Sequence, residues 1–135
     1  MIRRVTYLTP LAFVLAGGVS GCEATSPDMV TRADPVYQGI ETRLLDDDLV
    51  NFRVELAGGS TSSDVDRYAE CAAAQYTLIR GYGFARHLRT KVAEEGGIWR
   101  GDAVYTISSA RPDGLRTIDA EVVAADCAEN GIPMV

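Results

Sequence analysis

The hydrophobic period of this chain changes twice, and those changes constrain its fold more than any other feature. From Asp48 to Leu56 the period is two: Val50, Phe52, Val54 and Leu56 share one face, while Asn51, Arg53 and Glu55 take the other. Such alternation predicts a half-buried strand. Gly58-Gly59-Ser60-Thr61-Ser62-Ser63 breaks it. The period then becomes helical, with Val65, Tyr68, Ala69, Ala72, Tyr76 and Ile79 forming one apolar stripe. Ser63 is the expected N-cap, with Asp64 and Asp66 in the first turn, where the helix dipole favours them. Arg80 falls in the last turn, and Gly81 is placed to end the helix. Ala72, Ala73 and Ala74 let this helix lie close on a sheet.

From Tyr82 the period returns to two. Phe84, Leu88 and Val92 are expected on one face of a strand, with His87, Arg89 and Lys91 on the other. Glu94-Glu95-Gly96-Gly97 reads as a hairpin connection. Trp99 to Ser109 is a further strand, with Ala103, Tyr105 and Ile107 on one side. Arg111-Pro112-Asp113-Gly114 is a turn, because proline presets φ and glycine accepts positive φ. Leu115 to Val123 is expected as the last strand, with Ile118, Ala120 and Val122 inward and Asp119 and Glu121 outward. Ala124 to Val135 is expected as a short helical turn closed by Gly131 and Pro133. The predicted fold is α+β in the order β-α-β-β-β: an antiparallel sheet of about four strands covered by one helix.

Residues 1–21 read as a leader. Arg3 and Arg4 give a short positive start, and Val5 to Val19 is mostly apolar. A spanning helix needs about 20 apolar residues; this run is shorter, carries Pro10 and ends in small residues. It therefore reads as a signal peptide. Val19-Ser20-Gly21-Cys22 resembles a bacterial lipobox, an aliphatic residue and two small ones before cysteine. The resemblance implies cleavage before Cys22 and acylation of Cys22. An ordinary secretory cut with Cys22 left free and an uncleaved anchor are the alternatives. Glu23 is not the aspartate associated with inner-membrane retention in enteric bacteria, so the outer membrane is the default expectation. Residues 22–35 read as the lipidated cysteine and a polar tether carrying Pro27 and Pro35, with a reach on the order of 20 Å. Residues 36–135 are expected to be the domain.

With Cys22 assigned to lipid, Cys71 and Cys127 remain as an even pair. The compartment outside the cytoplasmic membrane is oxidising, so a Cys71–Cys127 disulfide is expected. The whole chain carries a formal charge of −6. Removing the leader with Arg3 and Arg4 leaves 11 basic against 19 acidic residues, a net of −8. That balance disfavours nucleic acid as a partner.

No catalytic constellation stands out. His87 is the single histidine and is expected to be exposed between Arg86 and Arg89. No Gly-x-Ser-x-Gly elbow is present. Asp46-Asp47-Asp48 lacks the ligand spacing of a calcium loop and reads as a solvated connection. No cofactor and no metal site are expected. Arg80, Arg86, Arg89, Lys91 and Arg100 cluster in sequence and are candidates for a local basic patch, able to touch lipid headgroups or an acidic partner if not simply solvated.

Tyr68-Ala-Glu, Thr77-Leu-Ile-Arg-Gly-Tyr-Gly-Phe84, Thr106-Ile-Ser and Gly114-Leu-Arg-Thr-Ile-Asp-Ala-Glu-Val122 carry a wider resemblance. Over roughly Asp48 to Pro133 the chain is similar to a family of small uncharacterised alphaproteobacterial lipoproteins. The resemblance implies an envelope lipoprotein and supplies no catalytic residue. The function expected is a non-enzymatic, membrane-anchored accessory that faces the periplasm and binds another envelope protein. A small-molecule or peptidoglycan-fragment binder, with or without weak hydrolase activity, is the alternative.

Overall fold

The computed structural model describes residues 34–134. Cys22, the leader and residues 22–33 of the expected tether lie outside them. Seven elements follow one another: β1 (Pro35–Leu44), β2 (Leu49–Gly58), α1 (Ser62–Ile79), β3 (Phe84–Glu95), β4 (Ile98–Ser108), β5 (Thr117–Asp119) and α2 (Ala120–Glu129). The strands form one sheet in the order β1-β2-β4-β3-β5, with every neighbouring pair antiparallel. The fold is α+β as expected, but with five strands and two helices among the described residues.

The core is built on the alternation of β2. Val50, Phe52, Val54 and Leu56 are buried on one face, opposite Tyr105, Ala103, Gly101 and Trp99 of β4. Helix α1 covers this face. Its buried side chains are wider than the expected stripe: Cys71, Ala73, Ala74 and Thr77 join Val65, Tyr68, Ala69 and Ala72, because α2 packs on a second flank of α1. Ile79, expected in the stripe, is 64% exposed at the helix end. The buried Thr77 hydroxyl donates to the Ala73 carbonyl at 2.7 Å, so it costs little. Gly101 sits where α1 crosses β4, and a Cβ there would run into Val65 Cγ1.

Helix α1 is capped two residues before the expected position. Thr61, not Ser63, is the N-cap: its hydroxyl accepts from the Asp64 amide, and the Asp64 carboxylate accepts from the Thr61 amide at 2.7 Å. Both halves of a capping box are present. At the other end Arg80 is the C-cap, and Gly81 adopts φ +79°. The Tyr82 and Gly81 amides donate to the Thr77 and Leu78 carbonyls, both at 2.9 Å, which is a Schellman motif.

Strand β1 lies over residues to which no element was assigned from sequence, and its first residue, Pro35, was expected in the tether. A register shift between Tyr37 and Gly39 leaves Gln38 as an extra residue. Tyr37 faces the core before the shift, and Ile40 and Thr42 face it afterwards, so period-two alternation is broken within the strand.

The expected strand from Leu115 to Val123 is corrected. Only Thr117–Asp119 is extended; from Ala120 the chain is helical. The Asp119 carboxylate accepts from the Glu121 and Val122 amides at 3.1 and 3.3 Å and caps α2. Alanines at 120, 124, 125 and 128 favour the helix. Val122, expected inward, is 65% exposed. Gly131 does end this segment, with φ +65°.

Candidate functional site

Cys71 and Cys127 are joined by a disulfide, with Cα atoms 5.9 Å apart. Both are fully buried, and the bond ties α2 to α1. Arg67 of α1 and Asp126 of α2 add an ion pair across the same interface. The lipid-attachment candidate, Cys22, lies outside the described residues. Asp46, Asp47 and Asp48 form the exposed connection between β1 and β2. Among the described residues, no group of three or more His, Cys, Asp or Glu side chains is arranged to hold a metal.

The opposite face of the sheet is not covered by either helix. Its side chains come from the polar phase of the alternation, and the antiparallel register arranges them in rows. In one row Glu41, Arg53, Asp102 and Lys91 stand on four adjacent strands, each opposite the next. In the next row Glu55 of β2 stands opposite Arg100 of β4, 3.6 Å away across an ion pair. Opposite charges on facing strands contribute modestly, in the range of about 0.2–1 kcal/mol per pair. Asp102 is the node of the face. Its carboxylate accepts from Asn51 Nδ2 at 2.5 Å and pairs with Arg89 at 3.4 Å. A groove of about 590 Å³ runs across these rows.

Four of the five basic residues singled out in the sequence meet here: Arg86, Arg89, Lys91 and Arg100. Arg80 does not join them, since it caps α1 and lies over the Tyr76 ring. Arg43 and Arg53 complete the patch. The four central rows thus carry six basic residues (43, 53, 86, 89, 91, 100) against three acidic ones (41, 55, 102), a local charge of +3. Arg43 was invisible to sequence reasoning because β1 was; Arg53 was assigned to the correct face but not connected to the cluster.

His87 is where the sequence reading fails. It was expected exposed on the polar face of β3. A second register shift, between His87 and Arg89, leaves Leu88 as the extra residue. His87 therefore shares the helix-covered face with Tyr105, its Cα partner, and Thr90 and Val92 take that face after the shift. The imidazole is half-buried, 5.1 Å from the Tyr105 ring in an edge-on arrangement. Its Nε2 lies 2.6 Å from Thr90 Oγ1, and its Nδ1 lies 3.2 Å from Arg116. Burial, and secondarily the Arg116 guanidinium, hold His87 below the ordinary histidine range. In that neutral form Nδ1 accepts from Arg116, and the protonated Nε2 donates to Thr90. Burial likewise pushes the Tyr105 phenol up, with Glu70 and Asp66 adding to the effect.

Among the described residues, no helix is long and apolar enough to cross a membrane. Residues 37–131 match the model of the YNQ4 C-terminal domain family, a span that takes in nearly all of the sheet and both helices. The chain is also similar to a Paracoccus denitrificans protein named "Uncharacterized 26.9 kDa protein in nqo8 5'region", at 32% identity over 109 residues. That alignment covers 76% of this chain and 43% of the relative, so the chain spans less than half of the relative's length. No solved structure matches. The relation to a small alphaproteobacterial family, expected from the sequence motifs, therefore holds, and the chain belongs to the YNQ4 C-terminal domain family.

Proposed function

We propose that this chain is a lipid-anchored protein of the bacterial envelope, non-enzymatic, whose domain faces the periplasm and docks an acidic segment of another envelope protein on its uncovered sheet face. The observation that carries the docking reading is charge separation. The four central rows of the sheet face sum to +3, with Glu95 and Asp119 of the same face confined to its two ends, while the whole chain bears −6. A basic face on an acidic molecule steers an acidic partner to one side of the sheet and repels it elsewhere. The groove gives an extended segment somewhere to lie, and the arginine forks suit carboxylates. The anchor reading rests on the Val19-Ser20-Gly21-Cys22 motif, and a short tether from Cys22 would keep the domain near membrane-embedded partners.

The test is photo-crosslinking in living cells, with the reactive residue placed at Arg53 on the uncovered face or at Val122 on the outer side of α2. The account expects a discrete adduct from position 53, none from position 122, and loss of the adduct when Lys91 and Arg100 are changed to glutamate. Equal adducts from both positions, or an adduct indifferent to the charge reversal, would remove the docking face.

A further inference from the structure

A second cavity, of about 360 Å³, opens on the other side of the sheet beside α1 and is lined by Asp66, Glu70, His87, Tyr105, Arg116 and Ile118. Its size is that of a small-ligand pocket. We propose that this cavity binds a small zwitterion, a molecule carrying an ammonium group and a carboxylate on one short chain. The inference goes beyond the docking reading and stands independently of it.

Three features build the site. Asp66 and Glu70 are four residues apart on α1, hence one turn apart on one face, and both line the cavity. Arg116 lines the same cavity from the segment entering β5. Among the described residues, neither carboxylate forms an ion pair with Arg116. Two anions and one cation thus face a common space without neutralising one another.

The guanidinium is held in place at a cost. Arg116 is the one non-glycine described residue with positive φ, +64°, a conformation that costs an L-residue on the order of 1 kcal/mol or more. Two contacts with His87 hold it: the His87 amide donates to the Arg116 carbonyl at 3.1 Å, and Arg116 Nη1 donates to His87 Nδ1 at 3.2 Å. His87 is fixed in turn by Thr90. One guanidinium nitrogen is thereby committed to positioning, and the rest of the planar fork stays available to a carboxylate. Strain kept at a cavity wall by a relay of hydrogen bonds is a mark of a preorganised binding group.

Charge selects the ligand class. A simple anion would meet Asp66 and Glu70. A simple cation would meet Arg116. A zwitterion places its carboxylate on Arg116 and its ammonium on the α1 carboxylates, with Ile118 as an apolar wall and the Tyr105 phenol, kept protonated by burial, as a donor. Ile118 lies inward on a strand as its sequence pattern predicts, but Arg116 stands at φ +64° where an extended residue is expected and His87 takes the opposite face, so sequence spacing does not bring the constellation together.

The test uses the protein as isolated from the cells that make it, with its disulfide intact. His87 is the only histidine in the sequence, so its ring signals can be followed by NMR without ambiguity. The probes are glycine, β-alanine, 4-aminobutanoate and 6-aminohexanoate, which carry the two charges at increasing separation, with acetate and ethylammonium as single-charge controls. The expected result is a saturable shift of the His87 signals with at least one amino acid, at a concentration where both controls are silent. Arg116→Gln and Glu70→Gln should each weaken that binding at least tenfold, while Val122→Gln leaves it unchanged. Glu70 lies at the helix surface, so its substitution spares the fold even if Arg116→Gln does not. No saturable shift with any amino acid, an equal response to either control, or full binding by the Glu70→Gln protein would each overturn the proposal.

Discussion

Replacing both Cys71 and Cys127 with alanine removes the one covalent link between α1 and α2, and its effect can be worked out from the structure. The two cysteines are 56 residues apart in sequence. Closing a loop of that length lowers the entropy of the unfolded chain by roughly 14 cal/mol/K, which amounts to about 4 kcal/mol of stability near room temperature. Both sulfur atoms are fully buried, so their removal adds a small packing loss. Domains of this size are stable by about 5–15 kcal/mol in total, so the variant should fold but sit close to marginal. Urea unfolding of the wild-type and double-alanine chains, both fully folded at the start, measures the difference. The loss should also be uneven. Helix α2 has only 10 residues, too short to persist alone, and without the disulfide it rests on apolar packing and the Arg67–Asp126 pair. Amide hydrogen exchange should therefore accelerate in α2 well before it does in β2 and β4. A loss below about 1 kcal/mol would mean that the cross-link does not restrain the unfolded chain as the entropy model requires. Uniform loss of protection would refute the claim that α2 is the element it holds.

Three further outcomes are expected. Gly101→Ala places a methyl group against Val65 and Val54 where α1 crosses β4, and should cost about 1–3 kcal/mol by urea unfolding; trimming Val65 to alanine in the same chain should recover part of it. Thr61→Ala removes the accepting half of the capping box and should cost about 1 kcal/mol, again by urea unfolding. His87 should titrate below the ordinary histidine value because burial and Arg116 disfavour its charged form. The folded state then binds fewer protons than the unfolded one, so this contribution to stability is present above the unfolded value and is lost as pH falls through it towards the folded one. Arg116→Gln should move the His87 titration, followed by NMR, back up.

The legibility of the sequence divides at two extra residues. Where alternation is unbroken, as in Val50 to Leu56, register and face follow from the residues alone. Gln38 and Leu88 each add one residue to a strand, and beyond each the inward set changes parity. That single step hid β1 and put His87 on the wrong face, because period-two reasoning assumes that every residue advances the pleat. The fold class and the pairing of Cys71 with Cys127 were within reach, since neither depends on parity. The uncovered face was partly legible: the polar phases of β2 and β3 already placed Arg53, Arg89 and Lys91 on strand faces. Its sum across four strands was not, because row neighbours such as Glu41 and Arg53 come from pairings that sequence spacing does not encode. The segment from Leu115 to Val123 failed for a different reason. Ala120, Val123 and Cys127 also recur at helical spacing, and capping by Asp119 decides for the helix.

The docking proposal depends on placement in the envelope: the proposed anchor at Cys22 would bring the basic rows to their partner, and the oxidising side of the membrane is where the Cys71–Cys127 bond would form. Intact mass spectrometry of the protein from a membrane fraction, with and without reductant, tests both at once. The account predicts a chain that begins at Cys22, carries acyl groups, and is lighter by two hydrogen atoms before reduction than after. A chain with an unmodified Cys22 and free thiols at positions 71 and 127 would contradict it.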